Sequence, residues 1–304
     1  MRRFLPLLAA LACLAACGGG DASGGGAERG TLALDFQPNA VHAGIYAARN
    51  LDVRVPAAST DSLKLLAAGR ADMSVVDIHD LGLAREQGAD VVGVGALVQR
   101  PLAAVIARGS EIRRPRDLEG RRVGVTGLPS DEAVLRAIVE HDGGSSARVR
   151  RVTIGFSAVP SLISGRVDAV VSFWNAEGVA LRERGVRTRE FRVDEFGAPR
   201  YPELVLTVSR RTLEDHAELV DSMLDRLASG TRAALRDRDA IVTELAREGG
   251  SDEELMRAQL EAVAPALVPA VRLDRDALEA WAEFDAEFGI LRDPPDVERA
   301  FRLR

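Results

Sequence analysis

Short apolar runs alternate with amphipathic stretches over most of the chain. Thr31-Leu32-Ala33-Leu34-Asp35-Phe36 predicts a strand, Val41 to Arg49 a short helix, and Leu51 to Val55 a second strand of alternating polarity. Ser59 or Thr60 is placed to cap a helix carrying Leu63, Leu65, Leu66 and Ala67, which stops at Gly69. Ala71 to Val76 predicts a strand, Asp77 to Gln87 a helix ending at Gly88, and Val91 to Val98 a further strand. The rhythm then restarts. Pro101 to Ala107 reads as extended, Arg121 to Val125 as a strand and Ser130 to His141 as a helix. Val149 to Ile154, a helix Ala158 to Ser164, Asp168 to Ser172 and a helix Asn175 to Arg184 complete the second unit. Leu204 to Val208 is one more apolar strand. Beyond it the pattern is helical: His216 to Arg247, Asp252 to Ala264 and Asp274 to Phe288.

Two α/β units followed by a helical tail predict an α/β fold of two lobes, each a mostly parallel sheet flanked by helices. Lobe one is expected to hold residues 30–100 and 205–304, with the tail packed on it, and lobe two residues 101–204. The cleft between such lobes, at the carboxyl ends of strands, is where small ligands bind. Leu278, Trp281, Asp285 and Phe288 fall at helical spacing with Phe284 beside them, so Trp281 is expected in the core of the tail.

The amino terminus changes the picture of where the chain works. Arg2 and Arg3 precede an apolar run from Phe4 to Ala16, too short for a stable bilayer span, so residues 1–16 read as an export signal by the general secretory route. The run ends Leu14-Ala15-Ala16-Cys17-Gly18, which resembles a bacterial lipobox, so Cys17 is expected to carry a lipid. Residues 17–29 are Gly-rich and read as a flexible tether between membrane and folded body. The expected location is the extracytoplasmic face of the cell membrane, lipid-anchored.

Composition excludes other classes. Apolar residues make up 46% and charged residues 28%, ordinary for a globular chain. A net charge of −6 disfavours general nucleic-acid binding. Cys13 and Cys17 are the two cysteines, so the folded body has no disulfide framework, cysteine zinc site or catalytic thiol. His42, His79, His141 and His216 lack metal-binding spacing, and neither a P-loop nor a GxSxG serine context is present. No catalytic residue, metal or cofactor is expected.

Four segments carry a resemblance. Asp35-Phe36-Gln37-Pro38-Asn39-Ala40-Val41-His42-Ala43-Gly44-Ile45-Tyr46 resembles the DWxPNxxHAGxY opening of the NMT1/THI5-like family, substrate-binding proteins of ABC importers for thiamine pyrimidine precursors. Gly124 to Asp131 resembles that family's second-lobe loop, Phe173-Trp174-Asn175-Ala176-Glu177-Gly178 its (Y/F)WNxEG motif, and Val193 to Leu204 its return crossover. One departure is visible. Arg49-Asn50-Leu51-Asp52-Val53 is shorter than the family's KGYFEEEGLDV-like stretch.

The resemblance implies a type II periplasmic-binding-protein fold, a small heterocyclic ligand such as hydroxymethylpyrimidine or a formylaminopyrimidine, and ABC permease and ATPase partners. A monomer is expected. Riboflavin or another heterocycle is the alternative cargo, and a sensor or a pyrimidine-synthesis enzyme the alternative class. Aromatic residues are only 4% of the chain, so Phe36, Tyr46 and Trp174 in the motif segments are candidate stacking faces. Asn175 and Glu177 can read an aminopyrimidine edge, because an amide donates and accepts while a carboxylate accepts two N–H bonds. Asn39, His42, Asp77 and Ser130 complete the expected ligand contacts, although Asn39, Asp77 and Ser130 are equally suited to capping helices. His79 is expected at the surface.

Fungal pyrimidine synthases of the same superfamily consume their own histidine with pyridoxal phosphate, and they resemble Val75-Val76-Asp77-Ile78-His79. Their lysine, four residues before that histidine, is Val75 here. The single lysine, Lys64, lies on the preceding helix. A Schiff base needs that amine, so binding rather than catalysis is the expected role.

Overall fold

The computed structural model describes residues 29–56 and 61–303. The signal segment, Cys17, most of the Gly-rich tether and the Ser59/Thr60 cap lie outside the described residues.

Strand β1 (Gly30–Ala33) leads through a 3₁₀ turn at Ala40–His42 into α1 (Ala43–Tyr46), then β2 (Leu51–Arg54), α2 (Asp61–Ala67), β3 (Met73–Asp77), α3 (Ile78–Glu86) and β4 (Val91–Ala96). The chain then enters β5 (Ala103–Arg108), β6 (Arg122–Val125), α4 (Pro129–His141), β7 (Arg150–Thr153), α5 (Ala158–Ile163) and β8 (Ala169–Phe173). A π-helical turn at Trp174–Gly178 runs into α6 (Val179–Glu183), and β9 (Thr188–Arg192) follows. Strand β10 (Leu204–Ser209) precedes α7 (Arg210–Asp215), α8 (Ala217–Arg236), α9 (Arg238–Gly249), α10 (Glu253–Val263), α11 (Arg275–Glu287) and α12 (Val297–Ala300).

Two five-stranded sheets result, ordered β2-β1-β3-β10-β4 and β7-β6-β8-β5-β9. Only β10 in the first and β5 in the second run against their neighbours. These are the two strands that directly follow a passage between sheets. The other strands end at the cleft, so a chain arriving from the cleft must run away from it. The chain leaves the first sheet after Ala96 and rejoins it at Leu204. Strand β9 escaped the sequence pattern because it is a charged edge, Thr-Arg-Glu-Phe-Arg, with only Phe191 buried.

The tail differs from expectation in two ways. The single helix foreseen from His216 to Arg247 is broken at Asp237, whose carboxylate caps α9 through the Ala240 amide at 3.3 Å. The tail also touches both lobes. Helix α8 packs on α1 so closely that a Cβ on Gly230 would sit 2.2 Å from the Gly44 carbonyl oxygen. Helix α10 reaches the Ala40–His42 turn of lobe one and α6 of lobe two. The Arg136 side chain of α4 donates to the Glu287 carbonyl at 2.9 Å and lies over the Phe288 ring.

A buried polar network joins these parts. His79, on α3, meets Asp285 Oδ1 through Nδ1 at 2.7 Å and the Tyr201 hydroxyl through Nε2 at 3.2 Å. This corrects the surface position expected for it: the ring is buried, as are both partners. The Glu203 carboxylate accepts the Leu102 amide at 2.9 Å, and its backbone carbonyl accepts the Ile78 amide at 3.0 Å. Burial works against charge on His79, but Asp285 first and then Asp77 and Glu203 outweigh it and raise its pKa to about 10. Burial pushes the Asp77 and Glu203 carboxyls and the Tyr201 hydroxyl upward.

Two measurements check this packing. Trp281 is fully buried, edge-on to Phe301 and against Gly82. Trp281→Ala should cost about 3–5 kcal/mol in urea unfolding, and a loss below about 1 kcal/mol would refute its core role. The network sets a pH dependence. A histidine whose folded pKa is raised stabilises fully below its unfolded value near 6.5, and that stability fades as pH rises through about 10. The raised carboxyls act in the same direction. The urea midpoint should therefore fall between pH 6.5 and 10, with the slope flattened in His79→Gln. An unchanged slope in that variant would contradict the network.

Candidate functional site

Strand ends and helix starts from both lobes converge on a partly open cleft of about 360 Å³. The turn after β1 supplies Asp35, Phe36 and Asn39, and the end of β3 supplies Asp77. From lobe two come Thr126 and Ser130 after β6, Phe156 after β7, and Ser172, Phe173, Asn175 and Glu177 at the end of β8. Glu203 and, from the tail, Gln259 complete the polar wall.

Each polar group has a local reason for its place. Asn39 caps the following 3₁₀ turn: its Oδ1 accepts the Val41 amide at 3.0 Å. His42 Nδ1 accepts the Asn39 amide at 3.2 Å, which leaves the proton on Nε2 to be donated to Asp35 Oδ1 at 2.8 Å. Asp77 caps α3 through the His79 amide at 2.8 Å. Asp131, not Ser130, ties the start of α4, since its Oδ2 accepts the Thr126 and Gly127 amides at 2.7 and 3.0 Å. The loop needs Gly127 at φ +103, a conformation side chains disfavour.

The π-helical turn decides which side chains of the 173–178 motif face the cavity. Phe173, Asn175 and Glu177 line it, and Trp174 does not. Trp174 is 2% exposed, its indole N–H donates to the Pro101 carbonyl at 3.0 Å, and the Arg192 guanidinium lies 4.1 Å from its ring centre. The ligand-stacking role expected for Trp174 is thereby corrected: an apolar ring with one satisfied N–H belongs to the core beneath the site. The wide turn also buries Asn175 to 2%, with no hydrogen-bond partner for its Oδ1. Glu177 Oε2 accepts the Phe173 amide at 3.2 Å, and burial pushes the Glu177 carboxyl up.

Two further expected contacts also lie off the cavity. His42 is fully buried behind it and acts through Asp35 and Asn39. Tyr46 faces Glu244 and Glu248 of α9, and burial, then those two carboxylates, pushes its hydroxyl up to about 12. Phe36, Asn39, Asp77, Ser130, Asn175 and Glu177 all line the cavity.

Phe156 was not anticipated. It is 66% exposed and meets Phe36 across the mouth, ring centres 5.7 Å apart, so one aromatic from each lobe closes the entrance. A lone aromatic in Gly155-Phe156-Ser157, just past a strand's carboxyl end, was the available signal. Asp35, Asp80, Asp131 and Glu203 were also missed, because a single carboxyl in a loop or in the first turn of a helix reads as solvated. Among the described residues no helix is long and apolar enough to cross a membrane.

The family model described as NMT1/THI5 like matches residues 39–241. A formylaminopyrimidine-binding protein of Halalkalibacterium halodurans is 34% identical over 79% of this chain and 74% of its own length. A putative thiamine biosynthesis protein of Haemophilus influenzae is 30% identical over 62% of this chain and 64% of its own. The alkanesulfonate-binding protein of Xanthomonas axonopodis, bound to MOPS, superposes over 91% of this chain and 100% of its own with a TM-score of 0.72 at 19% identity. The aliphatic sulphonate-binding protein of Escherichia coli does so over 90% and 97% with a TM-score of 0.74 at 15%. The fold is that of the type II periplasmic binding proteins, and by sequence the chain belongs to the NMT1/THI5-like family.

Proposed function

We propose that this chain captures a small aminopyrimidine of the thiamine-precursor class between its lobes and delivers it to an ABC permease. The observation that carries the reading is the cleft between the lobes, which sets a phenyl face against acceptors. Phe36 offers a ring face, while Asn175 and Glu177 offer oxygens to the exocyclic amino group. The similarity to a formylaminopyrimidine-binding protein points to the same ligand class. The lobes open and close about the two passages between sheets. Export and lipid attachment at Cys17 hold the binding body beside its permease.

Synthase chemistry is the weaker reading, although synthases of 4-amino-5-hydroxymethyl-2-methylpyrimidine phosphate are 25–26% identical over about half of this chain. Lys64 is exposed and paired with Asp61 at 2.9 Å, away from the cavity lining. Both His79 ring nitrogens are engaged.

Calorimetry of the mature protein with 4-amino-5-hydroxymethyl-2-methylpyrimidine and its formylamino analogue should give saturable one-to-one binding. No heat from either would refute the aminopyrimidine reading. Phe36→Ala should weaken that binding by roughly 1–3 kcal/mol. Glu177→Gln should weaken it by about 1.5–3 kcal/mol, since one acceptor becomes a donor facing a donor. Trp174→Ala should instead unfold more easily without ligand, by about 3–5 kcal/mol. Unchanged ligand-free stability would return that residue to the site. Cys17→Ser should move the protein from membrane to soluble fractions. An unmodified Cys17 found by mass spectrometry of native membranes would refute the anchor.

A further inference from the structure

Six carboxyl side chains line the cavity: Asp35, Asp77, Asp80, Asp131, Glu177 and Glu203. No lysine or arginine is among the described lining residues. Among the described lining residues His79 is the single side chain able to carry positive charge, and it has no N–H to spare. One ring nitrogen faces Asp285 and the other Tyr201.

Helix starts are the other means by which a protein binds an anion, through free backbone amides. Here the chain's own oxygens occupy several of the amides around the cavity, although no side chain caps the starts of α4 and α5. Asp131 takes Thr126 and Gly127 before α4, Asp77 takes His79 in α3, and Asn39 takes Val41 in the 3₁₀ turn. Glu177 takes Phe173 at the π-helical turn. The one buried polar atom on the wall without a partner is also an acceptor, Asn175 Oδ1, on a side chain 98% removed from solvent. Left unpaired it is costly, and a ligand N–H or O–H in the cavity would satisfy it.

Resting on the binding role above, we propose that this cavity selects by charge: it admits neutral or protonated heteroaromatic amines and rejects their phosphate esters and sulfonates. The fold itself does not impose this, since neighbours of the same architecture are named for alkanesulfonates. The rejection comes from the carboxyl side chains on the wall, with no lysine or arginine among the described lining residues to offset them.

The test uses two matched pairs on the mature protein at pH 7 and low salt. One is 4-amino-5-hydroxymethyl-2-methylpyrimidine against its phosphate ester. The other, free of the pyrimidine ring, is phenethylamine against 2-phenylethanesulfonate. In each pair the anion should bind on the order of a hundredfold more weakly, since the two members differ by about two charge units and the partly desolvated wall offers no free cationic side chain to an anion. Asp131→Asn keeps the acceptor and removes a charge, so it should narrow the gap by about tenfold. Asn175→Leu should lose about tenfold in affinity for the amines while the ligand-free melting temperature stays the same or rises. A fall in that temperature would make the Asn175 oxygen structural and remove it from the argument. Either anion binding within threefold of its partner overturns charge selection. Discrimination in the amine–sulfonate pair with silence from both pyrimidines would overturn the pyrimidine assignment and leave charge selection standing. Silence from all four probes overturns both.

Discussion

The Glu203 carboxylate is the point through which the two lobes are joined. It sits on the second passage between sheets and accepts the amide of Leu102 on the first, so one buried side chain holds both crossing segments together. Its backbone carbonyl receives the first amide of α3, next to Asp77, and its side chain forms part of the cavity wall. A buried carboxylate is tolerable only with donors around it and positive charge near it. Leu102 and Ala103 supply the donors and His79 the charge. His79 in turn is held by Asp285 from the tail. The hinge, the helix that presents Asp77 and the tail are thus one electrostatic unit, and the cavity lies against it.

That unit was invisible to the sequence pattern. Asp285 lies 206 residues from His79, and nothing local to either signals the other. His79 looked like a polar residue early in a helix, a position usually solvated. The strands, by contrast, were legible almost throughout, because apolar alternation is a local property. The exceptions share a cause. The edge strand at Thr188–Arg192 has little to bury, and the break at Asp237 rests on one cap in an otherwise helical stretch.

The site divides in the same way. Phe36, Asn39, Asp77, Asn175 and Glu177 stand in motif segments and line the cavity. Trp174 stands in the same motif and turns away: its place after a strand, opening a helix, pointed to the ligand, but in the π-helical turn that starts there its ring is buried and its N–H is held by the Pro101 carbonyl. Tyr46 follows His42 by one turn, but that turn faces α9 and not the cleft. Phe156 closes the mouth from a loop of no evident pattern. Residue identity fixed the chemistry available to the site, and tertiary placement fixed which residues take part.

Oxygen acceptors stand among an apolar lining, the Phe36 and Phe156 faces meet at the entrance, and the lone lysine is elsewhere. The proposed ligand is an aminopyrimidine whose amino group those acceptors receive. A crystal structure of the mature protein soaked with 4-amino-5-hydroxymethyl-2-methylpyrimidine tests this most directly. The ring should lie in the cavity against Phe36, with its amino group within hydrogen-bond reach of Asn175 Oδ1 or the Glu177 carboxylate. A ring bound at Trp174, or anywhere outside the space between the sheets, would contradict it.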